Sequence, residues 1–392
     1  MILLSYHTVA TYVLGTGDGD IELAESVLGP CLQDYPNGVI FRFFEGRVCE
    51  IKGEVDQAIK IFEDSMSLQI EWKQFHDLCY WELMWCHSFR CDWLQAYNYA
   101  EKLRMESRWS RATYAYQQAA FLLMQDDVSA ETRQHVIDIL ADIPNLKQKV
   151  AGKSIPVEKF ALRKARKFAM QGNRLVLPGL ELIYIWNGFN IIGKTPALLE
   201  PLVQRVERTL VELDATKDEN ENYAEDFALC MLLKGMCLKG LKCTTQAENC
   251  FREAAACDKR IRYDHYIVPY SLVELGLLFM RDGRFEEAKR TLEQARGYYK
   301  HYSLESRLHF RIHSALAEVR QHVSPDHLKA EFKPAGYSPM HSGGSFPQPL
   351  TPPPEAVIGA GMASAIQPLT SDGAELDRLN CDTACEAIEK PI

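Results

Sequence analysis

The chain lacks most of the signals from which chemistry is read. Its twelve cysteines include no C-x-x-C pair, so neither zinc-ribbon nor thioredoxin chemistry is signalled. No apolar run reaches the ~18 residues that a membrane helix needs. Basic residues are the minority charge, 44 against 53 acidic, for a net −9. That excludes a general nucleic-acid binder, which needs a basic surface to release counterions. The first ten residues hold no Lys or Arg, and Ser5, Tyr6, His7 and Thr8 interrupt the opening Met1-Ile-Leu-Leu. No secretory signal is read there. Reduced thiols suit a cytoplasmic or nuclear protein, or one peripherally attached to a membrane or lipid droplet.

Proline is scarce before residue 324 and abundant after it: ten of 18 lie in 324–392. Four basic residues there (Lys329, Lys333, Arg378, Lys390) face nine acidic ones. Few large apolar residues remain to offset chain entropy, so 323–392 is expected to be a disordered tail. It carries Ser324-Pro, Ser338-Pro and Thr351-Pro, minimal sites for proline-directed kinases, within what reads otherwise as a solvated tail.

The body reads as helices. Strand-like alternation is rare, and Gly, Pro or Asn-Asp breaks fall every 12–20 residues. Aligned on a small residue of a second helix, Ala24, Ala58, Ala96, Ala247 and Ala288 superpose. Twelve positions upstream stand Tyr12, Gly46, Met84, Gly235 and Gly276. Four downstream stand Leu28, Phe62, Ala100, Phe251 and Leu292, and seven downstream Cys31, Ser65, Leu103, Ala254 and Ala295. The first two units are 34 residues apart, and Pro36 closes the first. This is the tetratricopeptide-repeat pattern. Gly lets the two helices of a hairpin approach, Ala sits at their crossing, and Phe or Leu is expected to fill the gap to the next repeat. The fold class is all-α, an α-α superhelix with a disordered C-terminal tail. The expected division is 1–104 with about three repeats, a divergent helical segment 105–215, two repeats and a capping helix in 216–322, and the tail 323–392. Helices are expected at about 110–124, 129–141, 155–171, 178–188, 195–214 and 303–321.

Several longer stretches carry a resemblance. Tyr6-His-Thr through Leu14-Gly-Thr-Gly, Tyr35-Pro-Asn-Gly38, Glu158-Lys-Phe-Ala with Arg163-Lys-Ala-Arg166, and Pro178-Gly-Leu-Glu-Leu-Ile-Tyr-Ile-Trp-Asn-Gly188 resemble the tetratricopeptide repeat protein 39 family, which includes the fungal inclusion-body clearance proteins. The likeness covers roughly residues 1–322 and matches the C-terminal part of the family pattern. Relatives usually have a further helical region before it, so a short isoform or a partial gene model is the expectation. Membership implies a non-enzymatic scaffold, with some members tied to lipid handling or protein aggregates. It supplies no catalytic residues to carry over.

The sharpest enzyme signal is Gly188-Phe-Asn-Ile-Ile-Gly193-Lys194-Thr195, which fits the phosphate-loop expression G-x-x-x-x-G-K-[ST]. A nucleotide site needs a preceding strand and a parallel sheet, neither of which is read here. The favoured reading is a helix connection in which Pro196 opens the next helix. His309 and His313 share a helix face, but Phe310 stands where a zincin has Glu. Cys230 with Cys237, and Cys250 with Cys257, suit core packing. Leu229-Cys-Met-Leu232-Leu233 fits L-x-x-L-L, and burial in the fourth repeat is favoured. No catalytic, cofactor, metal or small-molecule site is expected.

Two surfaces remain. The concave face should be lined by first-helix positions: Leu229, Leu232, Met236 and Lys239 in the fourth unit, Tyr270, Val273, Leu277 and Met280 in the fifth. Seven of these eight are apolar, a lining suited to an apolar peptide or amphipathic helix of a protein partner, unless the chain's own helices fill it. Lys159, Arg163, Lys164, Arg166 and Lys167 form a candidate basic surface on one amphipathic helix. It could contact anionic lipid or a phosphorylated partner, or be simply a solvated face.

Overall fold

A computed structural model describes residues 1–14, 19–150, 153–298 and 302–322. The tail, with its three Ser/Thr-Pro sites, lies outside the described residues. The first helical stretch runs through α1 (Ile2–Ser5), a π-helical turn (Tyr6–Ala10) and α2 (Thr11–Leu14). Then come α3 (Ile21–Asp34), α4 (Val39–Ile51), α5 (Val55–Leu68), α6 (Lys73–Phe89), α7 (Trp93–Glu106), α8 (Arg111–Leu122) and α9 (Ala130–Leu146). A minimal antiparallel pair, β1 (Lys149–Val150) and β2 (Lys153–Ser154), leads to α10 (Pro156–Met170), α11 (Pro178–Ile185), α12 (Phe189–Ile192) and α13 (Pro196–Ala215). The last five are α14 (Tyr223–Gly240), α15 (Thr244–Ala256), α16 (Ile267–Arg281), α17 (Phe285–Arg296) and α18 (Glu305–His322).

Local chemistry sets many of these starts. Asp20 accepts from the Leu23 amide at 2.9 Å to cap α3. Ser129 does the same for α9 through the Thr132 amide at 3.0 Å. Pro156, Pro178 and Pro196 open α10, α11 and α13, where the missing amide proton costs nothing.

Hairpins α4/α5, α6/α7, α14/α15 and α16/α17 stack in sequence order. The alanines of the repeat register, Ala24, Ala58, Ala96, Ala247 and Ala288, are all buried at helix crossings. A Cβ added to Gly46 would lie 2.6 Å from the Phe62 ring, one on Gly235 2.5 Å from Phe251, and one on Gly276 2.7 Å from Leu292. This corrects the expected role of the large residue. It packs back on the glycine of its own hairpin, because the alanine crossing brings the two axes close enough for the side chain one turn later to need that space. In α6/α7 the volumes are exchanged: Met84 stands at the glycine position and Ala100 at the large one, and both are buried.

The divergent segment is helical; α8 and α9 continue the row beyond α7, and α13 packs on α14. From α10 the chain crosses to the inside, and α11 packs against α6, α8 and α14. Every one of its eight residues is buried. The repeats therefore wrap around a central helix from their own chain.

Candidate interaction surfaces

Contacts of α11 reach both ends of the described chain. Asn187, just beyond it, donates to the Tyr12 carbonyl at 2.8 Å. Trp186 meets Trp85 with ring centroids 5.6 Å apart. Tyr184 donates to Glu274 at 3.3 Å, and Arg307 of α18 donates to the Ile185 carbonyl. Gly179 is needed for close approach, since a Cβ there would sit 2.6 Å from Met124.

The expected basic surface divides in two. Lys159, Arg163 and Arg166 are exposed. Lys164 and Lys167 are buried, which corrects the reading of all five as one surface. The Lys164 ammonium lies 2.8 Å from both Glu181 and Asp264, and Lys167 lies 2.6 Å from Asp264 and 2.5 Å from Glu225. Tyr266 also donates to Glu181. Burial alone would raise the Asp264 carboxyl, but the two ammoniums outweigh it and hold it well below the usual range. Burial wins at Glu181 and pushes its carboxyl up. The cluster ties α10 and α11 to the segment entering α16. A second cluster lies on α16 itself. Lys239 and Arg311 reach Glu274 at 2.8 and 2.7 Å. Burial opposes the ionised form, yet these cations bring the Glu274 carboxyl down to about 2. Neither cluster follows from the repeat register. The signal that could have found them is a lone acid inside an apolar run.

The expected concave groove is mostly sealed. Leu229, Leu232, Met236, Tyr270 and Val273 are buried, and Lys239, Leu277 and Met280 are half-buried. The physical reason is α11 with its flanks: Tyr184 stacks edge-on to Tyr270 at 5.9 Å, and α11 and α12 both pack on α14. Lys239 is committed to Glu274. The L-x-x-L-L stretch, Leu229 to Leu233, is wholly buried in α14.

Residues 188–195 form the connection between α11 and α13, with α12 inside it. Helix α11, not a strand, precedes them. Thr195 donates to the Gly53 carbonyl at 3.2 Å, and Lys194 lies over the Tyr12 ring at 5.9 Å. Gly53 has φ +82 and no room for a Cβ beside Thr195. Cys230, Cys237, Cys250 and Cys257 are buried, and burial pushes the Cys237 thiol up to about 12 and that of Cys250 to about 11. They pack as small hydrophobes. His309 lies 3.9 Å from Glu305, and His313 is exposed. Among the described residues, no three His, Cys, Asp or Glu side chains gather where a metal could sit. No described helix is long and apolar enough to cross a membrane.

Stacked hairpins with a glycine-to-large-residue lock and buried crossing alanines define a superhelix of the tetratricopeptide-repeat class, a scaffold of the repeat type used for protein interaction. The chain belongs to the Iml2/Tetratricopeptide repeat protein 39 family, whose model matches residues 1–241. It is 38% identical over 320 residues to Tetratricopeptide repeat protein ttc-39B of Caenorhabditis elegans, across 81% of this chain and 54% of that protein. The chain thus spans about half the length of this relative.

Proposed function

We propose that the protein is a non-enzymatic adaptor that recruits protein partners through the rim of its superhelix rather than through an open concave channel. The observation that carries this reading is the sealing of the channel by α11, which leaves Leu277 and Met280 as the half-buried apolar positions of the expected groove. An apolar peptide or amphipathic helix would contact them with α16 as a rigid support. Family membership favours lipid handling or clearance of protein aggregates as the process served. Proximity labelling in cells, comparing wild type with Leu277→Asp, tests the reading. The expected result is loss of the principal partners, with helical circular dichroism and Tm close to wild type. An unchanged partner set would reject the rim, and a collapsed melting transition would place Leu277 in the core.

Docking on anionic lipid through α10 has less support. Two of the five cations it would use are spent on buried carboxylates. Three exposed cations contribute about 1 kcal/mol each at best near an anionic membrane.

A further inference from the structure

We propose that the outward face of α10 is covered by the acidic segment 371–392 of the same chain. Lys159, Arg163 and Arg166 are spaced i, i+4 and i+7, so they form one stripe along the helix, and all three are exposed. Every ion pair of α10 among the described residues belongs to Lys164 or Lys167, which are buried. Among the described residues Arg163 reaches only the Ser303 hydroxyl, at 2.9 Å. The one acid of α10, Glu158, is buried and taken by the Ser110 hydroxyl at 2.7 Å and the Gln148 amide at 2.9 Å. The outward face is therefore all positive, in a chain whose net charge is −9.

Segment 371–392 has the complementary charge. Asp372, Glu375, Asp377, Asp382, Glu386 and Glu389 outnumber Arg378 and Lys390. Its attachment also suits the site. Arg163 touches Ser303, next to the start of α18, and α18 ends at His322, about 27 Å away along the helix. The 48 residues from 323 to 370 exceed that span several times over. Covalent attachment holds the segment at an effective concentration on the order of millimolar. A free anionic partner has no such advantage.

Carbodiimide cross-linking of the dilute full-length chain tests this, because it joins a lysine amine to a carboxyl only when the two are in contact. Amide bonds between Lys159 and the acids from Glu375 to Glu389 are expected by mass spectrometry, at a yield independent of protein concentration. The yield should fall several-fold at ~0.5 M salt, where screening shortens to about 4 Å. It should fall likewise in Arg163→Gln/Arg166→Gln, with helical circular dichroism unchanged. Absence of these bonds, or tail acids joined equally to remote lysines such as Lys60 and Lys217, would overturn the proposal. So would a yield indifferent to both arginines. Binding of the unaltered chain to phosphatidylserine vesicles through the same stripe, with no cross-link to the tail, would also overturn it and assign the face to membrane.

Discussion

A glutamate in the middle of an apolar helix must find a cation or give up its charge. Glu82 of α6, Glu181 of α11 and Glu274 of α16 each stand in such a run, each is buried, and each meets a cation: Arg47, Lys164, and Lys239 with Arg311. The acids were visible in the sequence as lone charges, but their partners were not. Glu181 and Lys164 are 17 residues apart, and Glu274 and Arg311 are 37 apart, so no local period links them. Lys164 is legible as part of an amphipathic helix, but the pattern puts it on the solvent face, because a cation in a helix pattern marks solvent unless an acid waits opposite. Removing one partner strands the others, so Lys164→Met should lower unfolding free energy by about 3–5 kcal/mol, measured by urea titration. The small residues were legible because repetition exposes them. Ala288 is fully buried against α16, and Ala288→Leu should cost on the order of 1–3 kcal/mol, read from the same titration. Lys194 is exposed and only overlies Tyr12. Lys194→Ala should therefore change stability by less than about 0.5 kcal/mol and leave no ATP affinity to lose in calorimetry.

Helices were the most legible scale. Those expected at about 129–141, 155–171 and 195–214 are α9, α10 and α13, with ends differing by a few residues. The helix expected at 178–188 is α11 and ends at Ile185, because Trp186-Asn187-Gly188 turns the chain, with Asn187 at φ +60; α12 lies beyond the expected end. Where an element packs was harder to read than what it is. A run as apolar as Pro178–Ile185 suits any buried helix, and only long-range contacts from Tyr12 to Arg307 show it to be central. The rim prediction belongs to this scale. Leu277 projects from α16 beside Gly276, whose space is already taken by Leu292, so a charge at 277 probes the outer side of the helix without entering the hairpin lock.

For the whole molecule, the buried carboxylates set a pH limit. Glu274 titrates near 2 in the fold against its ordinary 4.5, and Asp264 is also held low. A depressed carboxyl contributes stability above its unfolded value and loses it as pH falls through the folded one. For Glu274 the contribution is about 3 kcal/mol. The urea midpoint should therefore drop between pH 5 and pH 2.5, and Glu274→Gln should flatten that limb while lowering stability at neutral pH. The central helix has a further consequence, for the order in which the chain becomes a protein. Repeat arrays ordinarily gain stability one neighbour at a time and can fold from either end. Here a helix from the middle of the sequence is completed by Tyr12 on one side and by Glu274 and Arg307 on the other. During synthesis the inner surface of the N-terminal repeats stays unfinished until α11 has left the ribosome, and the far side of α11 stays open until α16 and α18 follow. Assembly thereby depends on contacts distant in sequence that a plain array does not need, and a chain cut before α11 presents the apolar wall that α11 would have covered, the kind of surface that chaperones hold.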